Sequence, residues 1–213
     1  MARARGDNRT AATREGGQTD AAPGRRRGPK PITLTSLENA ALYYLERFAS
    51  SSANLKRVLM HKVMRAAAAG NGDTAEGERL VDALVARYLA AGLVDDKAYA
   101  VQRAASLRRQ GNSRFAIRGK LALKGVEGAL IDDMLAELDE DGTQGEIAAA
   151  CALVRRRRLG PFRSAATRAA ARQKDLAALA RAGFSLEVAR RVLRAADPDA
   201  LEAMARGASE GDE

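Results

Sequence analysis

A single cysteine, Cys151, excludes an intrachain disulfide and fits a reducing, cytoplasmic setting. A single histidine, His61, leaves too few soft ligands for a zinc site, which needs about four. A Cys–His nucleophile pair would require these two residues to meet. Cys151 shares an apolar stripe with Ile147 and Val154 and reads as buried core, while His61 lies among Lys62 and Arg65 and reads as solvated. Tryptophan is absent and aromatics are 4% of the 213 residues, so one large core is a poor fit and several small helical cores a better one. No apolar run approaches the roughly 20 residues that span a bilayer. The N-terminal Met1-Ala2-Arg3-Ala4-Arg5 lacks the apolar centre of a signal peptide. Nowhere do β-branched residues alternate over the length of a strand.

Motifs for enzyme chemistry are also missing. From Gly111 to Lys120 the sequence has a superficial likeness to a phosphate loop. Seven residues separate Gly111 from Gly119 where that loop has four, Leu121 follows Lys120 in place of Ser or Thr, and no strand precedes it. Gly70-Asn71-Gly72 lacks the third glycine of a dinucleotide fold. Asp95-Asp96 and Asp132-Asp133 can be drawn as paired catalytic or metal carboxylates. A helix cap explains the first pair and a solvated face the second. The expectation is a protein with no catalytic residue, metal or cofactor.

What is present is a repeat. Leu121-Ala122-Leu123-Lys124-Gly125-Val126 returns 58 residues later as Leu179-Ala180-Arg181-Ala182-Gly183-Phe184. Beyond the glycine, Leu130, Ile131, Met134, Leu135 and Leu138 fall on Val188, Ala189, Val192, Leu193 and Ala196. Each copy reads as an amphipathic helix, a glycine stop and a second helix, so the chain is expected to be a tandem array. Such arrays offer an extended surface to a large partner.

The predicted organisation is all-α: three tandem three-helix modules in an elongated, curved array between two disordered tails. Residues 1–33 form a basic tail rich in Gly, Pro, Arg and Thr. Module 1 spans 34–94, opening on the capping-box pattern Thr35-Ser36-Leu37-Glu38 and turning at Ser50-Ser51-Ser52 and Gly70-Asn71-Gly72-Asp73. Module 2 spans 95–142, with its first helix to about Arg109, a turn at Gly111-Asn112-Ser113 and a stop at Gly125. Module 3 spans 143–198, with a break at Gly160-Pro161, a helix from Arg172 to Ala182 and a cap at Ser185. Residues 199–213 are read as an acidic disordered tail, dispensable for folding.

The net charge is +9, unevenly placed: +5 over residues 1–33, +8 over 143–197 and −4 over 198–213. This asymmetry suggests contact with an anionic surface, although a soluble basic protein with no polyanion partner carries such charge too. The candidate contact residues are Arg108, Arg109, Arg114, Arg118, Lys120 and Lys124 in module 2, with Arg155, Arg156, Arg157 and Arg158 in module 3. Helix 3 of module 2 carries Glu127, Asp132, Asp133 and Glu137, so salt bridging inside the module is the competing explanation for its cations.

Asp95-Asp96-Lys97-Ala98-Tyr99-Ala100, then Gly111, Arg114, Ile117-Arg118, Leu121 and Lys124-Gly125-Val126, resembles the signature of the RecX family, bacterial regulators of the recombinase RecA. Gly92-Leu93-Val94 before it and Ala182-Gly183-Phe184-Ser185 near the end fit as well. Arg103 stands where the family often has a second aromatic, Lys120 where an acid is common, and Ala182 in place of a base. The resemblance covers about residues 37–196. It implies three three-helix modules that bind RecA and the groove of a RecA–single-stranded-DNA filament. It also implies hindrance of filament extension, ATP hydrolysis and co-protease activity in DNA repair. A monomer that needs no membrane is expected. The competing function is a non-catalytic helical protein that binds double- or single-stranded DNA directly.

Overall fold

A computed structural model describes residues 31–138 and 143–207. Among these residues all regular structure is helical. It comprises α1 (Leu34–Leu45), α2 (Ser52–Ala68), α3 (Thr74–Ala90), α4 (Asp96–Arg109), α5 (Arg114–Ala122), α6 (Gly128–Leu138), α7 (Gln144–Arg157), α8 (Ala165–Arg181), α9 (Leu186–Arg194) and α10 (Pro198–Ala205), with a 3₁₀ turn at Gly160–Phe162. None of these helices is long and apolar enough to cross a membrane.

Three separate hydrophobic cores follow the chain. Leu37, Leu55, Leu59, Val63 and Leu84 centre the first, between α1, α2 and α3. Leu107, Ile117, Leu121, Ile131 and Leu135 centre the second, between α4, α5 and α6. Ile147, Val154, Leu179, Val192 and Leu201 belong to the third, from α7 to α10. Each core is small because alanine fills many of the facing positions, among them Ala41, Ala100, Ala104 and Ala150, each fully buried.

The sequence repeat is a repeated turn. Val126 N–H donates to the Leu121 carbonyl at 3.2 Å, and Phe184 N–H donates to the Leu179 carbonyl at 3.2 Å. Gly125 and Gly183 between them adopt φ 74 and φ 88. This is the left-handed helix stop that glycine enters without steric cost. The apolar residues after each glycine, Ile131 and Met134 in one copy and Ala189 and Val192 in the other, are buried.

Four expectations are corrected. Pro198 does not end the order: it opens α10, capped by Asp197, whose side chain accepts from Ala200 N–H at 2.8 Å. Pro at the first helical position gives up no hydrogen bond, and Leu201 is fully buried, so residues 199–205 are not a dispensable tail. Residues 208–213 lie outside the described residues. Helix α1 is capped by Thr33 in a box with Ser36, two residues before the expected cap. Ile32 packs on the first core and its N–H donates to Asn71 at 3.1 Å, so 31–33 belong to the folded body. Residues 1–30, the rest of the expected basic tail, lie outside the description. Finally, α8 begins at Ala165, about two turns before the expected Arg172.

Candidate functional site

The two ends of the signature, Asp95-Asp96 and Lys124-Gly125, meet at the joint between the first two helical groups. Asp95 caps its own helix, accepting from Ala98 N–H at 2.9 Å. Asp96 turns the other way and accepts from Ser52 N–H at 2.7 Å and from Ser52 Oγ at 2.6 Å. The carboxylate thereby sits at the N-terminus of α2, where backbone dipoles favour an anion. Ser51 Oγ donates back to the Lys124 carbonyl, and a Cβ placed on Gly125 would lie 2.4 Å from Ala53 Cβ. Two adjacent aspartates thus perform separate tasks, one within the helix and one across the joint.

The joint between the second and third groups repeats this arrangement. Ser113 Oγ donates to the Ala182 carbonyl at 2.6 Å, as Ser51 does to Lys124. Arg114 N–H donates to Glu146 at 3.1 and 3.2 Å, as Ser52 N–H does to Asp96. Gly183 is pressed against Ser113 and Phe115, and Gly111 against the backbone of Ala149 and Leu153. In both joints the capping serine of one group's second helix binds the residue before the next group's stop glycine. A carboxylate from the next group's first helix takes the following N–H.

Several of the predicted contact residues belong to these joints. Arg108 is nearly enclosed: Nη1 reaches the Leu138 carbonyl at 3.4 Å and Nη2 lies 4.0 Å from Glu146. Arg114 contributes its N–H to Glu146. Lys124 Nζ reaches Asn54 at 3.3 Å across the first joint, and Arg156 donates to the Gln110 carbonyl across the second. Arg118 pairs with Asp132 on the solvent face, the salt bridging that competes with a partner-binding role, and Lys120 bonds Asn112. Arg155 pairs with Glu202 of α10 at 2.8 Å. Arg109, Arg157 and Arg158 are exposed and hold no ion pair among the described residues. The two candidate stretches therefore divide between cations that hold the array together and cations that face solvent.

Sequence reasoning missed a basic cleft in the last group. The cleft, about 590 Å³, lies between the first turns of α8, the Gly160–Pro161 turn and the end of α9, and Arg163, Arg168, Arg172 and Arg194 line it. Buried Asp175 anchors its floor: Arg163 binds both its oxygens at 2.7 Å, and Gly160 N–H donates to it at 2.9 Å. Burial is the largest single influence and would raise this carboxyl's pKa, but the Arg163 hydrogen bonds, the Gly160 N–H and the charges of Arg163 and Lys174 together outweigh it and hold the pKa below the ordinary value. Arg168 donates to the Ala196 carbonyl at 2.7 Å and to the Ala195 carbonyl, tying α8 to the end of α9. The only sequence signal was spacing: 168 and 172 are four apart on one helix face, and the expected helix began only at Arg172.

His61 is exposed, and Cys151 is buried in the third core. Burial pushes the Cys151 thiol up to about 11, so it stays protonated and unreactive at neutral pH.

Residues 95–135 match the family described as RecX, second three-helix domain. The chain is 42% identical over 173 residues to the Regulatory protein RecX of Myxococcus xanthus, an alignment covering 79% of this chain and 91% of that protein. It is 27% identical over 165 residues to the Regulatory protein RecX of Agrobacterium fabrum, covering 78% of this chain and 85% of that one. No solved structure matches.

Proposed function

Since this chain belongs to the RecX family, we propose that it is a non-enzymatic regulator that binds RecA and the RecA–DNA filament and inhibits its ATPase, co-protease and recombinase activities. The observation that carries this reading is the 42% identity to a RecX protein over 79% of this chain and 91% of that protein. The repeated joints support it: an array held by matching hydrogen bonds at each junction presents its surfaces in a fixed relation, as binding along a polymer requires. The working units are 34–94, 95–142 and 143–198, with α10 completing the third. Within the candidate surface, Arg109, Arg157 and Arg158 make the partner contact, while Arg108 and Lys124 set the shape of the array that carries them. The cytoplasm is the expected compartment.

The test is ATP hydrolysis by RecA on single-stranded DNA with this protein added at up to equal concentration. A concentration-dependent fall is expected. Charge reversal at Arg109, Arg157 and Arg158 together should weaken the inhibition, most at low salt. Reversal of Arg47 and Arg65 on the first group should weaken it less. Unchanged hydrolysis with binding confirmed by co-sedimentation would show that this chain does not inhibit RecA.

A further inference from the structure

We propose that the arginine cleft of the third group is a binding site for the phosphodiester backbone of a nucleic acid strand, used by this protein without RecA. Four arginines and two aspartates line the cleft, so its cations outnumber its anions by two. Asp175 is consumed by Arg163 and Gly160, and Asp197 accepts the Ala200 N–H that starts α10. Arg168 is held against carbonyls at the end of α9. Arg172 and Arg194 are exposed, with no ion pair among the described residues, and supply the charge that a ligand would meet.

The chemistry favours phosphate. Guanidinium forks present paired donors that match phosphate oxygens, and the wall between them consists of Ala165 and Ala169, so a bulky group can approach the helix closely. The volume, about 590 Å³, exceeds what a lone anion fills and suits a phosphate with its sugar. The lining holds no aromatic ring on which a base could stack and no Asn or Gln to read a base edge. The cleft is therefore expected to follow the backbone of a strand without regard to sequence.

The experiment uses the full chain without RecA and follows the anisotropy of a short, fluorescently labelled single strand over a salt series. The variant is Arg172→Glu with Arg194→Glu; the control is Arg65→Glu with Arg79→Glu, which changes net charge equally on the first group. At about 50 mM salt the cleft variant should bind at least about tenfold more weakly than the native protein, and the control less than about threefold. The slope of log affinity against log salt should fall by about 1.4 in the cleft variant, the value for two lost phosphate contacts on a single strand. A second variant, Ala169→Glu, removes no native side chain and should weaken binding in the same way. Circular dichroism checks that each variant is folded. Equal losses in cleft and control variants would overturn the proposal, as would absence of binding by the native chain. Displacement of the strand by poly-glutamate as effectively as by unlabelled DNA would show that the cleft takes acidic protein segments instead. The ATPase assay is read separately, so loss of strand binding with inhibition intact, or the reverse, distinguishes this site from the RecA contact.

Discussion

Arg158 closes α7 at φ 53, the one non-glycine residue among those described with positive φ. Its turn has the hydrogen bonds of the glycine stops: Leu159 N–H donates to the Val154 carbonyl at 3.0 Å. A left-handed L-residue costs about 1–2 kcal/mol, partly offset by the greater chain entropy that glycine loses on folding. Arg158→Gly should therefore raise stability by about 0.5–1 kcal/mol in urea unfolding, while removing a cation from the proposed contact surface. A variant more stable but weaker on the filament would mean that the strain is retained for binding. Asp175 gives a second prediction at this scale. Its native pKa lies below the ordinary carboxylate value of about 4, so its contribution is complete above that pH and is lost as the pH falls below it. Asp175→Asn should cost about 3 kcal/mol at pH 7, and urea titrations should find the gap to the native protein narrowing at pH 3. That the arginine run ends α7 could be read from the sequence, since cations suit the negative end of a helix dipole; the separate pairings could not. The Arg155–Arg158 run reads as one basic block, yet its members bond Glu202, cap a joint, face solvent and close a helix. Partners brought close from 46 or 47 positions away leave no local pattern.

Most helices were legible because each carries its own signals: a polar cap, an apolar stripe at helical spacing and a glycine stop. Ser51, Asp73, Asp95, Ser113 and Ser185 all cap the helices they precede. The early start of α8 was hidden because its first two turns, through Ala165, Ala166, Ala169 and Ala170, bear no apolar stripe and lie exposed over the cleft. Helix α10 was hidden because proline was read as a stop where it serves as a first residue. Gly111 and Gly119 look alike in the sequence and differ in the fold. Gly111 has φ 79, and a Cβ there would lie 2.7 Å from Leu153 N and 3.0 Å from Ala149 O, backbone atoms that cannot turn aside. Gly119 is helical, with nothing within 4 Å of the added carbon. Gly111→Ala should cost about 2 kcal/mol or more and open the second joint, seen as faster amide exchange at Arg114. Gly119→Ala should stabilise by up to about 1 kcal/mol.

At the scale of the molecule, the three-unit plan could be read from the 58-residue echo, and the family from residues 92–126. The joints could not be read, although their parts were in view. Asp96 and Lys124-Gly125 were recognised as motif letters, and only the fold shows that they bind Ser52 and Ser51 of the preceding group. Charge counting cannot tell a cation that faces solvent from one, such as Arg108, that is built into a junction.

The two joints use equivalent atoms, so the chain is a head-to-tail assembly in which one step is taken twice. A head-to-tail contact has no natural end, and unless its rotation closes a ring, further copies add indefinitely. Among the described residues, the first and the last group each depart from the pattern of the joints. At the leading end Gly70 holds the place of Gly125 and Gly183, and Ile32 packs two residues beyond it, where a Cβ on Gly72 would lie 2.7 Å from the Ile32 side chain. Helix α1 also lacks an acid in its first turn, where Asp96 and Glu146 stand in α4 and α7. At the trailing end the serine before α8, Ser164, is turned onto Thr167 at 2.9 Å in place of a following group. The protein should therefore run as a monomer in light scattering at concentrations where an uncapped array would form fibres. A repeat whose terminal groups break its own pattern is suited to lie along another protein's filament without starting one of its own.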